Sequence, residues 1–238
     1  MLRVLHIITD TNIGGAGRHL LTFLQHYDRS RLQVEVLCPP SSLLIDRCQQ
    51  LGVTTYSSPY LTGDRSLAGS RLIGLLREVR QLIRTRAIDI VHTHAAFAGR
   101  LAARLAGTKG VVYTKHRLDW TRPGWPQKAL TWLNQITCDR VIAISQAVQE
   151  ALIAEGMPAS HIVLIYNGIN VEAFQQEARL TPREICRAQL GLGNSPVVGI
   201  AARLEPEKGH RCFLKAAAQI LRRSTHPVKF LIVGDGSQ

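Results

Sequence analysis

The stretch RVLHIITDTNIGGAGRHLLTFLQHYD, residues 3–28, contains the pattern that decides the fold. Its first seven residues form an apolar run typical of a buried strand, and residues 17–28 have the spacing of an amphipathic helix. The polar segment between them contains Gly14, Gly15 and Gly17. A strand that passes into a helix through a glycine turn begins a β-α-β unit, which predicts a parallel sheet.

The same alternation continues along the chain. Further strands are predicted at LQVEVLC (32–38), DIVHTH (89–94), GVVYTKH (110–116), RVIAIS (140–145) and HIVLIYNG (161–168), and helices at 17–28, 42–51, 71–86, 98–106, 126–136 and 146–155. This pattern predicts an α/β domain over residues 1–168, with a doubly wound parallel sheet covered by helices on both faces.

The pattern changes after Gly168. Residues 169–195 are interpreted as a linker with one short helix, TPREICRAQLGL, capped by Thr181 with Pro182 at its first position. Residues 196–238 then give the strand PVVGIAARL, the loop EPEKG, the helix HRCFLKAAAQILRR and the strand VKFLIVG. Two parallel strands bury too little apolar surface to be stable alone, so we expect this second α/β domain to be incomplete at its C-terminus.

The amino-acid composition is typical of a globular protein. The 238 residues are 45% hydrophobic, and no run approaches the length of about 18 apolar residues that a membrane span needs. The N-terminus lacks the layout of a signal peptide, which favours a cytoplasmic protein. The five cysteines include no CxxC pair, so we expect reduced core residues rather than disulfides or a zinc ribbon.

The charge is strongly basic, with 29 Lys and Arg against 17 Asp and Glu. Such a surplus predicts an acidic partner: nucleic acid, anionic lipid or a phosphorylated small molecule. The helix at 71–86 has an apolar stripe and an opposite basic face, which favours core packing with solvated charges over membrane docking. The basic face consists of Arg71, Arg77, Arg80, Arg84 and Arg86. An aromatic content of 5% and the lack of a recognition pattern disfavour nucleic acid.

The turn TNIGGAGRH, residues 11–19, is a candidate anion site. Glycines at the carboxyl end of a strand let backbone N–H groups approach a phosphate at a helix N-terminus, so Gly14 and Gly15 are candidate phosphate or sugar contacts. The dinucleotide fingerprint GxGxxG is absent, because Leu20 stands where its last glycine would be, and NAD binding is disfavoured. The alternative is a turn shaped only for tight packing.

Three histidines are predicted at neighbouring strand ends. His92 and His94 alternate on one strand, so they share a face, and His116 ends the next strand. A metal site is disfavoured because no carboxylate or thiol completes the ligand set. His116 can reach a ligand hydroxyl from the polar loop RLDWTRPGW, although a structural histidine bonded to the backbone is the alternative.

The loop in GIAARLEPEKGH, residues 199–210, supplies two cations. Arg203 can bind phosphate oxygens in a bidentate manner and Lys208 adds a point charge, so together they suit a diphosphate. The loop is not a Walker A motif, since Lys208 precedes its glycine. A surface turn with solvated charges is the alternative.

Six segments together make the chain similar to the GT-B glycosyltransferases of family 4, which are retaining and use nucleotide sugars. These segments are IGGAGRH (13–19), YTKH (113–116), CDRVIAIS (138–145), IVLIYNGINVEAF (162–174), VGIAARLEPEKGH (198–210) and FLIVGDG (230–236). The resemblance implies two Rossmann-like domains, with the acceptor on the first and the donor on the second.

The resemblance also implies roles for individual residues. Gly14 and Gly15 would lie near the donor phosphates, and His116 would contact the transferred sugar. Arg203 and Lys208 would stabilise the departing diphosphate, which makes them catalytic together with His116. Arg18, His94 and Asn167 are implied as acceptor or sugar contacts, with Asn167 and Gly168 at a hinge.

The implied activity is transfer of a sugar, with retention, from a nucleotide-sugar donor to a glycan or lipid-linked acceptor in polysaccharide or cell-envelope biosynthesis. No metal or other cofactor is expected, and the inner membrane surface is an expected peripheral partner. The family's Glu-x7-Glu element would lie downstream of residue 238, so we expect this chain to bind a sugar nucleotide weakly or not at all. Three alternatives remain at this point: a non-catalytic basic module on anionic membranes, an inactive fragment of the transferase, and a sugar-nucleotide epimerase.

Overall fold

The computed structural model describes residues 1–61, 69–94, 96–118 and 127–236. The chain divides into two compact units, Met1–Ile169 and Asn170–Gln238. Most of the polar loop predicted after His116 lies outside the described residues.

The first unit alternates strands and helices. Its strands are β1 (Leu2–Ile8), β2 (Leu32–Cys38), β3 (Thr54–Ser57), β4 (Ile90–His94), β5 (Gly110–Lys115), β6 (Arg140–Ala143) and β7 (Ile162–Leu164). Its helices are α1 (Gly15–His26), α2 (Leu44–Gln50), α3 (Gly69–Thr85), α4 (Phe97–Leu105), α5 (Gln127–Thr137) and α6 (Gln146–Ala154).

The strands of this unit form one parallel sheet in the order β3-β2-β1-β4-β5-β6-β7. The order reverses at β1, which pairs with β2 on one side and β4 on the other. Since crossovers between parallel strands are right-handed, the reversal places successive helices on opposite faces of the sheet. The predicted doubly wound α/β architecture is confirmed.

Alternation along β1 divides the core between the two faces of the sheet. Leu5 and Ile7 belong to a buried cluster with Leu75 and Val79 of α3. Ile8 belongs to a second cluster with residues of α1 and α2. His6 points to the same face as Ile8, because side chains alternate along a strand. This places His6 beneath α1.

The apolar stripe predicted for α3 is confirmed, because Leu75 and Val79 are fully buried. The assignment of Arg86 to the solvated basic face is wrong. Arg86 follows the helix and forms an ion pair with Glu35 of β2 at 2.8 Å. Glu35 is only 2% exposed, and a carboxylate at such a position requires a charged partner.

The predicted linker is also wrong in part, because residues 169–195 contain two helices rather than one. Helix α7 (Val171–Leu180) is capped by Asn170, whose side chain accepts a hydrogen bond from the Ala173 N–H at 2.8 Å. Thr181 ends α7 instead of capping α8 (Arg183–Gln189), and Pro182 is the N-cap of α8. Strand β3 was likewise missed, because TTYS is short and only partly apolar.

The second unit continues with β8 (Val197–Ala201), α9 (His210–Arg223) and β9 (Lys229–Val233). The two strands pair in parallel, as predicted. Beyond β9 the glycine turn continues the pairing, because the Leu204 N–H donates to the Asp235 carbonyl at 3.0 Å. A Cβ on Gly234 would overlap the Ala202 carbonyl, so this close approach of two backbones requires glycine.

The cysteines are all free, as expected. Cys38, Cys48 and Cys138 are buried, but the prediction that all five are core residues is wrong for Cys186, which is partly exposed, and for Cys212, which is exposed. Among the described residues, no helix combines the length and the hydropathy that crossing a membrane requires.

Candidate functional site

The candidate site is a cluster of histidines under the carboxyl ends of β1, β4 and β5. His6 of β1 lies directly opposite His92 of β4, across the strand pair where the sheet order reverses. His94 lies opposite Thr114 of β5. Ligands of open α/β sheets bind beyond the strand ends at such a reversal, so the cluster lies where the topology predicts a site.

Three of the imidazoles form a chain of hydrogen bonds. Nδ1 of His6 lies 3.0 Å from Nε2 of His94, and Nδ1 of His94 lies 2.9 Å from Nε2 of His116. His6 and His94 are 2% and 1% exposed. The chain therefore runs from the interior of the sheet to His116, which is partly exposed and immediately follows β5.

Two further histidines border this chain. The His92 ring stacks on that of His94 with centroids 4.6 Å apart, and its Nε2 lies 2.7 Å from Oγ1 of Thr114. The His19 ring, on α1, lies 5.5 Å from the ring of His116 and 6.0 Å from that of His94. Helix α1 thus covers the cluster from one face of the sheet.

Burial keeps the cluster uncharged. Desolvation, with a smaller contribution from neighbouring imidazoles, lowers the pKa of His92 to about 3 and that of His116 to about 4. The same causes hold the pKa of His6 and of His94 well below the ordinary value, and desolvation lowers the pKa of His19. At neutral pH these rings are neutral, so each can both donate and accept a hydrogen bond.

The N-terminus of α1 is open to an anion. The helix begins at Gly15, its N-cap Gly14 provides no side chain, and its first turn contains no acidic residue. A Cβ on Gly15 would meet nothing within 4 Å. The first N–H groups of a helix have no partner within it, so they can bind phosphate oxygens.

This helix end lies close to the histidine cluster. Gly15 and His19 are four residues apart, so they lie on the same face of α1. The backbone N–H of Gly14 is already used in the turn, since it donates to the Asn12 carbonyl at 2.9 Å. The anion contact that the sequence assigns to Gly14 and Gly15 would therefore come from the N–H of Gly15.

The two predicted cations lie in the second unit, between β8 and α9. Arg203 is 68% exposed and faces two carboxylates of its own loop, Glu205 at 3.7 Å and Glu207 at 4.0 Å. Lys208 is exposed and ends a 3₁₀ turn before Gly209, whose φ of 76° lies in the left-handed region. The glutamates would compete with a diphosphate for Arg203.

The remaining predicted contacts are exposed. Arg18 lies on α1 next to His19, and Asn167 follows β7 near the end of the first unit. Within the first unit, the structure brings His94 and His116 into direct contact.

Two residues of the cluster were missed by sequence reasoning. His6 belongs to a strand that was predicted, and its spacing of two residues from Ile8 puts both side chains on the same face of the sheet. His19 belongs to the turn and helix predicted to bind an anion. What the sequence did not show is that β1 pairs with β4.

The same imidazoles raise the question of a metal. His6, His92 and His94 each offer a nitrogen, and these atoms lie within 4.8 Å of one another. Neutral imidazoles are the form that binds Zn²⁺. However, His6 and His94 already hydrogen-bond each other, and His92 hydrogen-bonds Thr114. These hydrogen bonds are enough to account for the close spacing of the three rings. The expectation of a metal-free site remains a prediction.

Comparisons with known proteins give matches to glycosyltransferases. The profile of Glycosyltransferase Family 4 matches residues 13–173, and that of Glycosyl transferases group 1 matches residues 182–238. The chain is 28% identical over 246 residues to the UDP-Gal:alpha-D-GlcNAc-diphosphoundecaprenol alpha-1,3-galactosyltransferase of Escherichia coli, a match that covers 99% of this chain and 62% of that protein. It is 27% identical over 237 residues to a GDP-mannose-dependent alpha-mannosyltransferase of Mycobacterium tuberculosis, covering 94% of this chain and 60% of that protein.

Among solved structures, HepE from Anabaena in complex with UDP-glucose superposes with a TM-score of 0.73 and 25% identity, covering 99% of this chain and 61% of that one. The chain thus spans about three fifths of the length of the relatives it matches. The structural neighbours include GT-B glycosyltransferases, with which the chain shares the doubly wound parallel sheet. The family profile covers most of the sequence, including the glycine turn and both His94 and His116 with their strands β4 and β5: the chain belongs to Glycosyltransferase Family 4.

Proposed function

We propose that the protein transfers a sugar, with retention of configuration, from a nucleotide-sugar donor to a glycan or lipid-linked acceptor in polysaccharide or cell-envelope biosynthesis. The observation that carries this proposal is the family match over residues 13–173. Support also comes from the relatives' names, which specify UDP-Gal and GDP-mannose as donors. The proposal concerns the whole protein. Within it, the first unit is proposed to provide the acceptor side, and residues 196–238 the first donor-binding elements.

The donor phosphates are proposed to bind at two places. The open N-terminus of α1 offers the N–H of Gly15 and of the residues that follow it. Arg203 and Lys208 offer positive charge to the diphosphate as it leaves. Charge on the leaving group is offset by cations and helix dipole, so the proposed transfer uses no metal. No carboxylate nucleophile is assigned.

His116 is proposed to contact the transferred sugar. Its ring is neutral, because burial lowers its pKa to about 4. A neutral imidazole can hydrogen-bond a sugar hydroxyl without repelling the cationic character that develops at the anomeric carbon. His94 supports His116 directly from β4.

The acceptor is proposed to be reached at an anionic membrane surface. The acceptor named for the Escherichia coli relative is a diphosphoundecaprenol lipid. On α3, Arg77, Arg80 and Arg84 are exposed along one face, while Leu75 and Val79 bury the other. An exposed arginine near an anionic surface contributes on the order of 1 kcal/mol of attraction. No contact with nucleic acid is proposed.

A thermal-shift titration with UDP, GDP and ADP tests donor binding by this chain. Arg203→Ala and Lys208→Ala are compared with Arg222→Ala and Lys215→Ala, which remove the same charges from exposed positions on α9. A ligand at 100 times its Kd stabilises a protein by about 2.7 kcal/mol. Because this chain is expected to bind a sugar nucleotide weakly at best, a shift with one nucleotide that only the first two substitutions abolish would show that these residues already recognise the donor.

A different result would contradict the donor contacts proposed for these residues. If the chain melts cooperatively and no nucleotide shifts its Tm, these residues do not recognise the donor. If all four substitutions reduce the shift equally, the binding is non-specific attraction to a basic surface. Salt-dependent binding to anionic vesicles that no sugar nucleotide alters would instead favour a membrane-binding module without transferase activity.

A further inference from the structure

A row of residues on α1 follows the histidine chain from the interior of the sheet to its edge. Gly15, His19 and Phe23 are spaced by four residues, so they lie along one face of the helix. The Phe23 ring packs on that of His6 at 5.2 Å. The His19 ring lies 5.5 Å from that of His116, which directly follows β5. Gly15 is therefore the end of the row that reaches beyond the strands.

Both ring nitrogens of His19 are open to a ligand. The other four imidazoles of the cluster are hydrogen-bonded to one another or to Thr114. Within the described part of the chain, the partly exposed His19 ring forms no hydrogen bond, and neither of its nitrogens is buried. In His116, by contrast, Nε2 bonds His94 and Nδ1 is buried. A hydrogen bond from the cluster to a ligand is therefore available at His19 as the structure stands, whereas His116 would first have to uncover its Nδ1.

Gly15 leaves room beside the His19 ring. Side chains of a helix tilt toward its N-terminus, so this ring leans over the turn that begins at Gly15. A Cβ on Gly15 would meet no atom within 4 Å, and the first turn contains no acidic residue that would repel an anion. A ligand oxygen beside Gly15 would therefore face His19.

The His19 ring meets this space uncharged. Desolvation lowers its pKa from the ordinary value, so the ring is neutral at neutral pH. One nitrogen of a neutral imidazole carries a proton and the other does not. His19 can therefore donate a hydrogen bond to a phosphate oxygen and does not need to be protonated first.

We propose that His19 is a further contact to the donor, which donates a hydrogen bond to an oxygen of the phosphate that is bonded to the sugar. This inference rests on the proposed function, in which Gly15 contacts the donor phosphates and His116 the sugar. His19 lies between these two residues, and the sugar–phosphate bond joins the two groups that they bind.

This position gives His19 a role in the transfer. As the bond between the anomeric carbon and the phosphate oxygen breaks, its electron pair stays on the phosphate. The acceptor oxygen forms the new bond to the anomeric carbon, and its proton passes to the departing phosphate. The N–H of His19 stabilises the charge that develops on the phosphate before that proton arrives.

NMR titration of the full chain with UDP tests this contact, because the imidazole signals report binding even when it is weak. Uridine, which lacks the diphosphate, is the matched ligand, and sodium chloride at equal ionic strength controls for general charge effects. We expect UDP to move the signals of the His19 ring and the two controls to leave them in place. His19 signals that stay fixed as UDP binds, or that respond alike to UDP and to the controls, would overturn the proposal.

Substitutions measure how much the contact contributes. His19→Leu should weaken UDP binding by about tenfold, as the loss of a hydrogen bond to a charged group predicts. His19→Gln should retain most of the affinity, because its amide can donate to the same oxygen. His26→Leu makes the same change at an exposed position near the other end of α1 and should alter nothing. Unchanged binding in His19→Leu, or equal losses in His19→Leu and His19→Gln, would show that no such hydrogen bond forms.

The same measurements separate this inference from the proposed donor contacts of the second unit. If UDP binding depends on Arg203 and Lys208 but not on His19, this inference is wrong and those contacts stand. If binding depends on His19 but not on the two cations, the reverse holds. If the wild-type chain does not bind UDP, both are wrong for these residues.

Discussion

Mild acid should unfold the first unit by charging its buried histidines. His6, His92 and His94 have a pKa lower in the folded protein than the ordinary value of 6.5, because they are desolvated and close together. The unfolded chain therefore binds protons first as the pH falls. The stability from these groups is complete above pH 6.5 and decreases below it.

The magnitude follows from linkage. One pH unit below the unfolded-state pKa, each group that stays neutral in the fold lowers the free energy of unfolding by about 1.4 kcal/mol. The three together lower it by about 4 kcal/mol, which is close to the whole stability of a marginal domain. The loss continues as the pH falls further toward the folded-state pKa of His92, about 3.

Urea denaturation at pH values above and below 6.5, followed by circular dichroism, measures this effect. We expect the midpoint to fall steeply below that pH, and His94→Gln to reduce the slope by about one quarter, since His116, whose pKa is lowered to about 4, contributes together with the other three. His26→Gln, at an exposed position of α1, serves as the control. An unfolding free energy that stays constant across this range would refute the burial of neutral imidazoles.

Three further substitutions test other parts of the structure. Gly15→Ala should raise the free energy of unfolding by about 0.4–1 kcal/mol, because the new Cβ contacts no other atom in the fold and restricts the unfolded chain. Calorimetry should nevertheless show weaker nucleotide binding to this variant. Unchanged binding would argue against an anion site at α1. Gly234→Ala should destabilise the second unit by about 1–3 kcal/mol, since its Cβ overlaps the Ala202 carbonyl, and normal hydrogen-exchange protection of β8 would contradict this. Arg86→Ala should lower the free energy of unfolding in urea denaturation by leaving the buried Glu35 carboxylate without its ion pair, whereas Glu35→Gln should lower it less; equal losses would show that the charge is not the cause.

Much of the fold could be predicted because its signals are local. The apolar run at residues 3–9 and the glycines after it required a strand, a turn and a helix, and the structure forms β1 and α1 there. The errors arose where local signals competed. Asn170 caps α7, but its position just after the Asn167-Gly168 turn suggested an irregular linker.

The candidate site was predictable only in pieces. Strand alternation placed His92 and His94 on one face, and the end of the next strand placed His116 nearby, as observed. Arg203 was expected as an available cation, yet two glutamates of its own loop lie within 4.0 Å. Whether those carboxylates face Arg203 depends on how the loop folds, which residue spacing does not specify.

The sequence by itself determined an α/β chain with glycine turns at its strand ends, because hydrophobic period and turn chemistry act over a few residues. Only the tertiary structure decided that β1 lies beside β4, and with it the hydrogen bond between His6 and His94, which are 88 residues apart. Strand order depends on how crossovers bury both faces of the sheet, a property of the whole unit. The histidine chain therefore exists only in the assembled sheet, where burial also makes its members neutral.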